Sequence, residues 1–264
     1  MRNTYRSCFI TVLLLFLFAL EPLAQEKNVK YKISALSLPK SQNLFHSFFV
    51  SDQDKIFLPL NGGIYLPKDS LWFLPASKEY YFTSFAPDLK DTSCFVFANS
   101  STATELYYLK SSKHSAIRKF CIAKLKRGSY AVIYKGSICY VWGHDGEQSK
   151  IGFLVNNKIK WLISIKGIIR QVQVDDKGEI FFALENSIHK LSTRQTIVTL
   201  ASVISGFDFD KSGKIILSCA DGIGIQKDKT IEIIATGLSG LIEYQNDVIY
   251  VLNSKGSSIF QIQQ

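Results

Sequence analysis

The sequence lacks the compact motifs of several enzyme classes. It has no G-x-S-x-G nucleophile elbow, no phosphate-cradling glycine loop and no H-E-x-x-H metal-binding helix. It contains only four histidines, and His46, His114 and His189 stand apart from any partner that would make a catalytic pair. These absences favour a protein that is not an enzyme, although they leave the class open.

Cysteine is scarce, and none of the five cysteines stands in a C-x-x-C or Cys/His metal spacing. Cys8 precedes an apolar run near the N-terminus. The other four lie inside apolar, strand-like runs: Cys94, Cys121, Cys139 and Cys219. A lone cysteine in such a run usually behaves as a small hydrophobe. The sequence therefore predicts buried free thiols, no metal site and no cofactor.

Long hydrophobic runs are also missing, since a membrane-spanning helix needs about 20 apolar residues. The longest run, Cys8 to Leu20, follows Arg2 and Arg6 and stops at Glu21-Pro22. A basic start, a short apolar run and a small residue at position 24 are typical of a secretory signal peptide. We predict a signal peptide over 1–24, with a retained anchor as the alternative. The mature chain, 25–264, is then a single domain exported to the periplasm or outside the cell, without stable membrane insertion.

Acidic residues are the minority charge: 31 lysines and arginines face 22 aspartates and glutamates, for a net charge of +9. A basic balance favours acidic partners, here an acidic protein or an anionic component of the cell envelope. Export argues against nucleic acid as the partner. The lysines are scattered, as is typical of strand edges protected against aggregation, and they form no binding stripe.

No window of the sequence keeps the 3.6-residue period of a helix, and turn residues divide it into short apolar runs. Residues 207–234 read FDFDKSGKIILSCADGIGIQKDKTIEII, which is four such runs and three turns. The turns are Asp-x-x-Gly at 210–213, Asp-Gly at 221–222 and Asp-Lys at 228–229. Turn chemistry at this spacing predicts four antiparallel strands.

The same pattern recurs at a period of 34–35 residues. Residues 172–200 carry an equivalent unit, in which Gly178 corresponds to Gly213 and Ile180 to Ile215. Downstream, DVIYVLNSKGSSIFQIQ repeats the pattern with Ile249 in register. A fixed period of this size with four strands per unit is typical of a radial array, the β-propeller.

Six units can be placed along the chain, and the whole is predicted to be an all-β, six-bladed propeller of four-stranded antiparallel blades. The last unit has three strands, and an unassigned alternating run at 29–37 is predicted to complete it, which would remove an exposed edge. A β-sandwich or irregular barrel is the alternative fold, and the regular period weighs against it. The predicted blades lie near 45–77, 80–123, 129–165, 170–202, 205–236 and 241–264 plus 29–37.

Residues 172–190 and 207–225 share the pattern apolar-x-apolar-Asp-x-x-Gly-x-Ile-apolar-apolar. In this the chain resembles the blades of NHL-type and TolB-like six-bladed propellers. The resemblance covers the C-terminal third well and the remainder by strand count alone. It implies the architecture, whereas such folds host hydrolases, lactonases, lyases, sensor domains and scaffolds, so function does not follow from it.

In propellers of this kind the first strand of each blade lines a central channel, and a site is expected at the channel mouth. The residues before the predicted first strands supply one carboxylate, Glu79, beside Arg127 and Arg170. This set disfavours Ca²⁺, which takes 6–8 oxygen ligands. Trp142 directly precedes the loop GHDGEQSK at 143–150. With the two arginines it forms the predicted site for an anionic or sugar-like ligand.

The loop at 143–150 groups His144, Asp145 and Glu147, which permits metal binding or acid–base chemistry. It is also typical of a solvated hairpin loop, the interpretation we favour. The predicted ligand-binding residues are thus Arg127, Arg170, Trp142, Glu79 and His144. The primary functional hypothesis is an exported, non-enzymatic module that binds a protein or envelope component; the alternative is a small-ligand sensor or lactonase-like hydrolase that uses the channel mouth.

Overall fold

The computed structural model describes residues 31–38, 47–60, 63–67, 69, 71–74, 81–88, 93–111, 117–253 and 258–263. The predicted signal peptide, 1–24, lies outside these ranges. All the strands belong to one compact unit, Lys32–Gln263. Within the described ranges, no helix has the length and apolarity needed to cross a bilayer.

Twenty-four strands form six four-stranded antiparallel sheets, here called blades I to VI, and this confirms the predicted six-bladed propeller. Blade I contains β2 (Phe49–Val50), β3 (Ile56–Leu60), β4 (Gly63–Leu66) and β5 (Leu71–Leu74). Blade II contains β6 (Tyr81–Asp88), β7 (Ser93–Asn99), β8 (Ala103–Ser111) and β9 (Ile117–Lys126). Blade III contains β10 (Ser129–Lys135), β11 (Ile138–His144), β12 (Ser149–Val155) and β13 (Lys158–Ile165).

The C-terminal half repeats the arrangement. Blade IV contains β14 (Ile169–Val174), β15 (Ile180–Leu184), β16 (Ser187–Lys190) and β17 (Thr196–Thr199). Blade V contains β18 (Ile204–Phe209), β19 (Ile215–Cys219), β20 (Gly222–Lys227) and β21 (Thr230–Thr236). Blade VI contains β22 (Gly240–Gln245), β23 (Val248–Asn253), β24 (Ser258–Gln263) and β1 (Lys32–Ser37).

Contacts between neighbouring blades close the ring at the inner strands. The strands β6 and β10, β14 and β18, and β18 and β22 contact each other, and β2 contacts β22. Contacts of β3 with β6 and of β11 with β14 complete the circuit. The first strand of each blade is therefore the innermost one, and the channel lies inside the ring of first strands.

The blades pack face to face through apolar side chains that alternate along the strands. Between blades III and IV, Trp142 and Ile151 pack with Val172 and Phe182 in one buried cluster. Between blades VI and I, Tyr250 is 2% exposed and shares a cluster with Leu58 and other residues of blade I. This pairing of sheet faces explains why strands throughout the chain carry apolar residues on both faces.

The Asp-x-x-Gly turns between the first two strands of blades IV and V have the same geometry. The Asp175 Oδ1 accepts hydrogen bonds from the backbone N–H groups of Lys177 and Glu179 at 2.9 and 2.8 Å. The Asp210 Oδ1 accepts from those of Ser212 and Lys214 at 2.8 and 2.9 Å. The glycines that end both turns have φ of 80°, a conformation that glycine adopts without a steric penalty. Both aspartates therefore cap the turn between the first and second strands of their blades.

Blade I carries the same turn without the sequence motif. Ser51 replaces the aspartate, and its Oγ accepts from the N–H groups of Gln53 and Lys55, each at 3.2 Å. Asp54 replaces the glycine with φ of 56°. A short polar side chain can therefore substitute for aspartate, because the turn needs only one acceptor oxygen.

Strand β1 pairs antiparallel with β24, from Lys32 opposite Gln263 to Ser37 opposite Ser258. Blade VI thus has the order β22-β23-β24-β1 from the channel outwards. The first described strand thus pairs with the last strand of the described chain.

The four cysteines in the described part of the chain are free, but one of them departs from the prediction of buried thiols. Cys94, Cys139 and Cys219 are buried, whereas Cys121 is exposed. Burial raises the pKa of the Cys139 thiol to about 12 and that of the Cys94 thiol well above its usual value. Cys121 differs because it lies on β9, the outermost strand of blade II, where no further strand covers it.

Candidate functional site

A cavity of about 420 Å³ opens between the inner strands, which is within the usual range for small-molecule sites. Five blades contribute to it. Its walls include Phe48 before β2, Ser84 and Phe85 of β6, the segment 128–133 leading into β10, the segment 169–171 of β14, and Glu243 of β22. This cavity, here called the channel pocket, lies at the end of the ring where the chain enters the first strands.

The inner strands are linked by polar side chains that accept a hydrogen bond from the next blade. The Ser84 Oγ of blade II accepts from the Val132 N–H of blade III at 3.2 Å. The Asp208 Oδ2 of blade V accepts from the Tyr244 N–H of blade VI at 2.7 Å. These contacts satisfy backbone N–H groups on the channel edge of the ring, where no further strand is present.

Gln171 links three blades. Its Nε2 donates to the Ile242 carbonyl of blade VI, and its Oε1 accepts from the Phe207 N–H of blade V, both at 3.0 Å. The neighbouring residue is Gly206, where an added Cβ would lie 2.7 Å from the Gln171 Oε1 and 2.6 Å from the Gly240 carbonyl oxygen. The absence of a side chain at position 206 therefore lets Gln171 cross the channel edge and form one wall of the pocket.

One position of the repeat is polar in three consecutive blades. Gln173, Asp208 and Glu243 are spaced 35 residues apart and pair with equivalent positions of the second strands, Phe181, Ile216 and Tyr250. In blade III the corresponding residue is Ile133, which pairs with Tyr140. The polar wall of the channel is therefore carried by blades IV to VI.

The side chain of Glu243 lines the channel pocket, and it has no hydrogen bond or ion pair with any described residue. Arg170 also lines the pocket, is exposed, and has no such partner within the same ranges. Asp208, by contrast, is held by the Tyr244 N–H and by its neighbour Phe209, whose N–H donates to Oδ1 at 2.8 Å. The pocket thus presents one acidic and one basic side chain that no residue in the described part of the chain pairs with.

Burial shifts the acid–base behaviour of the two carboxyl groups. It raises the pKa of Asp208 to about 7, against the hydrogen bonds from Tyr244 and Phe209 and the charge of Lys135. Burial and the charge of Asp208 raise the pKa of Glu243 well above its usual value. Both residues are half-buried, and Glu243 lines the channel pocket. Burial therefore favours the neutral form of Glu243.

Aromatic side chains form the apolar walls of the pocket. Trp142 is 7% exposed and Tyr130 is 4% exposed, and both also belong to the packing between blades. Trp142 packs against Ile169 and Val172 in the cluster between blades III and IV. Most of the Trp142 side chain is therefore packed in the core, and only a small part of it contacts the pocket.

The structure brings two of the five predicted ligand-binding residues, Trp142 and Arg170, to the channel pocket. Arg127 lies outside the pocket lining, and its Nη1 donates to the Ser101 carbonyl at 3.3 Å. His144 accepts a hydrogen bond at Nδ1 from the Gly146 N–H at 3.0 Å within its own hairpin. Glu79 lies outside the described residues. A role of these residues in binding stays a prediction.

The loop at 143–150 uses its charged side chains to hold its own turn. The Asp145 Oδ1 accepts from the N–H groups of Glu147 and Gln148, each at 3.2 Å, and Oδ2 pairs with the Lys150 Nζ at 3.0 Å. The hydrogen bond from Lys150 is the main reason that the pKa of Asp145 falls below its usual range. In the part of the chain that the structure describes, no group of three or more His, Cys, Asp or Glu residues could hold a metal ion.

The residues that reasoning from the sequence missed are Gln171, Asp208 and Glu243. They lie within the inner strands, whereas we had expected the site at the residues that precede these strands. A signal was present in the sequence, because positions 173, 208 and 243 are polar at the spacing of the repeat and lie between apolar neighbours. A polar residue at a recurrent buried position indicates the channel side of the sheet.

Comparison with known proteins supports the fold. No family model and no curated protein matches the chain. Among solved structures, it is similar to a PQQ-bound aldose sugar dehydrogenase from Streptomyces coelicolor, with a TM-score of 0.64 at 8% identity over 89% of this chain and 98% of that one. It is also similar to an inactive virginiamycin B lyase from Staphylococcus aureus solved with quinupristin, with a TM-score of 0.58 at 12% identity over 89% and 100% of the two chains.

A third similar structure is a luciferin-regenerating enzyme, with a TM-score of 0.63 at 9% identity over 88% of this chain and 96% of that one. At these identities the likeness shows the fold alone. The chain is a six-bladed β-propeller.

Proposed function

We propose that this protein is an exported, non-catalytic propeller that binds the anionic group of a ligand at its channel pocket. The observation that carries the proposal is the guanidinium of Arg170, which pairs with no described residue and lies on the wall of a cavity of about 420 Å³. A guanidinium binds carboxylate and phosphate through two parallel hydrogen bonds, which gives both affinity and orientation. The aromatic edges of Trp142 and Tyr130 supply apolar contact beside that charge.

The identity of the partner is proposed from charge and export. The net charge of +9 favours an acidic protein or an anionic envelope component over a basic one. The basic, apolar start of the chain is the reason to propose export, where such components are found. Closure of the ring by β1 and membership among NHL-type and TolB-like propellers belong to the same proposal, and the shared Asp-x-x-Gly turns support the second.

The test compares two arginines. Wild-type protein, Arg170→Glu and Arg127→Glu are screened by thermal shift against uronic acids, sugar phosphates and acidic peptides. We expect one of these classes to raise the melting temperature of the wild type and of Arg127→Glu, but not of Arg170→Glu. Arg127 is a matched control because it is also an exposed arginine near the same end of the ring, outside the pocket lining. Equal responses of the two variants would contradict the proposal.

A hydrolytic activity is the second candidate, and one observation favours it. Glu243 lies in the pocket, and burial raises its pKa. A carboxyl group needs a raised pKa to act as a general acid at neutral pH. Lactone and ester substrates test this candidate. Hydrolysis that Glu243→Gln abolishes, while Arg127→Glu retains it, would support an enzyme; turnover by Glu243→Gln at the wild-type rate would exclude this role for Glu243.

A further inference from the structure

The channel pocket holds two opposite charges that the protein leaves unpaired. Arg170 lies at the start of blade IV and Glu243 in the inner strand of blade VI, and both line the same cavity. Within the described ranges neither side chain has a hydrogen bond or an ion pair. Arg170 is exposed and Glu243 is half-buried, so the carboxyl group without a described partner is the less usual of the two, because buried polar groups are generally paired.

Polar side chains link some of the inner strands to the next blade, but the carboxyl group of Glu243 makes no such link to a described residue. Ser84, Gln171 and Asp208 each accept a hydrogen bond from an N–H group of the next blade. Gln173 and Glu243 occupy the same repeat position as Asp208, yet neither side chain accepts such a bond from a described residue of the next blade. The described part of the ring therefore supplies no hydrogen-bond partner for the carboxyl group of Glu243, and this group is available to a ligand in the cavity that it lines.

The protein's own cation near this carboxyl group is already engaged. The Lys135 Nζ donates to the Val174 carbonyl at 2.6 Å and pairs with Asp176 at 3.1 Å. Asp208 adds a further acidic group beside Glu243. A cation that entered the pocket would be stabilised by both carboxyl groups, because an opposite charge within a few ångströms favours their ionised forms.

The size and walls of the pocket favour an organic cation. Its volume of about 420 Å³ and the neighbouring Phe85, Tyr130 and Trp142 suit an ammonium group on an apolar frame. Arg170 on the same cavity gives the opposite end of such a ligand an anionic partner. One molecule that carries both charges would satisfy both groups at once.

We propose that the ligand of the channel pocket is a zwitterion of amino-acid or dipeptide size, whose ammonium group pairs with Glu243 and whose carboxylate pairs with Arg170. The inference rests on the proposed function, since it assigns the second end of the ligand bound at Arg170. It adds that the ligand must carry a primary or secondary amine in its charged form.

The experiment uses L-amino acids and a set of dipeptides as probes, each at about 10 mM in a thermal-shift screen, followed by calorimetric titration of the best probe. The same probe is then titrated in its N-acetylated and its C-terminally amidated forms. We expect wild-type protein to bind the parent probe and each blocked form to bind about tenfold to a hundredfold more weakly, because each block removes one charged hydrogen-bonding pair.

Variants assign the two ends of the probe. Glu243→Gln is expected to weaken binding of the parent probe by a similar factor and to make it indifferent to N-acetylation. Arg170→Ala is expected to make binding indifferent to C-terminal amidation, while Arg127→Ala behaves as wild type. A further readout is the exchange of protons with the buffer on binding, because an ammonium group beside Glu243 would lower the pKa that burial and Asp208 raise. Lys135 and Asp176 also lie near this group, and Glu243→Gln is expected to reduce the exchange.

Several results would overturn the inference. These are the absence of a response from every probe, equal affinity for the N-acetylated form in the wild type, or an unchanged affinity in Glu243→Gln with native melting behaviour. The failure of the proposed function is a separate result. If an anionic ligand binds through Arg170 but Glu243→Gln has no effect, the zwitterion is excluded and the anion-binding pocket stands.

Discussion

The carboxylate of Asp208 accepts a hydrogen bond from the backbone N–H of Tyr244 at 2.7 Å, across the boundary between blades V and VI. The same side chain accepts from the Phe209 N–H at 2.8 Å. An acidic group thus holds two inner strands in a place where burial opposes its negative charge. The contact that joins these blades is therefore sensitive to protonation.

We predict that the free energy of unfolding falls as the pH rises from about 4 to about 7, because Asp208 ionises over this range. The pKa of Asp208 is about 7 in the folded protein and lies near 3.8 in a free side chain. Its neutral form is therefore favoured by folding, so the full contribution is present below about pH 4 and is lost progressively up to about pH 7. The size of the loss is about 1–3 kcal/mol, since the channel admits water to the group. Urea unfolding across this range measures it.

Asp208→Asn is the matching variant. Asparagine keeps the shape and one acceptor oxygen but does not ionise, so the decline with pH should flatten. The variant should be less stable than the wild type at low pH by about 1 kcal/mol, because one of the two accepted hydrogen bonds is lost. A pH profile parallel to that of the wild type would show that another group causes the decline.

Gln171→Ala is predicted to destabilise the ring by about 2–3 kcal/mol. The change leaves the Ile242 carbonyl and the Phe207 N–H without their partner in a buried environment. Gln195→Ala is the control, since Gln195 is exposed in the turn between β16 and β17. The free energy of unfolding of both variants tests this, and equal values would contradict the bridging role of Gln171.

Removal of residues 1–37 is predicted to destabilise the protein and to promote self-association. The deletion takes away the six residues that pair with β24 and exposes the edge of that strand. Removal of residues 1–24 alone should leave the melting temperature unchanged, because β1 is retained. Urea unfolding and size-exclusion chromatography compare the two truncated forms, and identical behaviour would show that β1 does not hold blade VI.

The thiols are predicted to differ in reactivity. Cys121 should react with Ellman's reagent in the native protein, whereas Cys94, Cys139 and Cys219 should react only after unfolding, because they are buried. Cys121→Ser should therefore lower the number of native thiols that react by one. If the variant loses no reactive thiol, Cys121 is covered in solution.

The fold was predictable because its strongest signals are local. The aspartates and glycines at 175–178 and 210–213 fix their turns through short-range hydrogen bonds, and the period of the repeat follows from them. The equivalent turn at Ser51–Asp54 has the same geometry but different residues, so blade I could be placed by strand pattern alone. The turn residues and the strand pattern identify the individual blades, and the number of blades then gives the size of the ring.

The candidate site was only partly predictable because it depends on contacts between distant blades. Arg170 was identified from its position before a predicted first strand, and Trp142 from its position before the loop at 143–150. The lack of a partner for Glu243 could not be read from the sequence, since it depends on which N–H groups of the neighbouring blade lie within reach. The exposure of Cys121 had the same origin: its apolar surroundings predicted burial, and its place on an outer strand decided otherwise.

Gln173, Asp208 and Glu243 share one position of the repeat, so the interior of the pore is asymmetric. It is polar at this position in blades IV to VI and apolar in blade III, where Ile133 takes their place. A guest molecule would consequently settle against one half of the wall in a fixed orientation. Substitution of a single residue at this position would change which molecules the pore binds and would leave the surrounding blades intact.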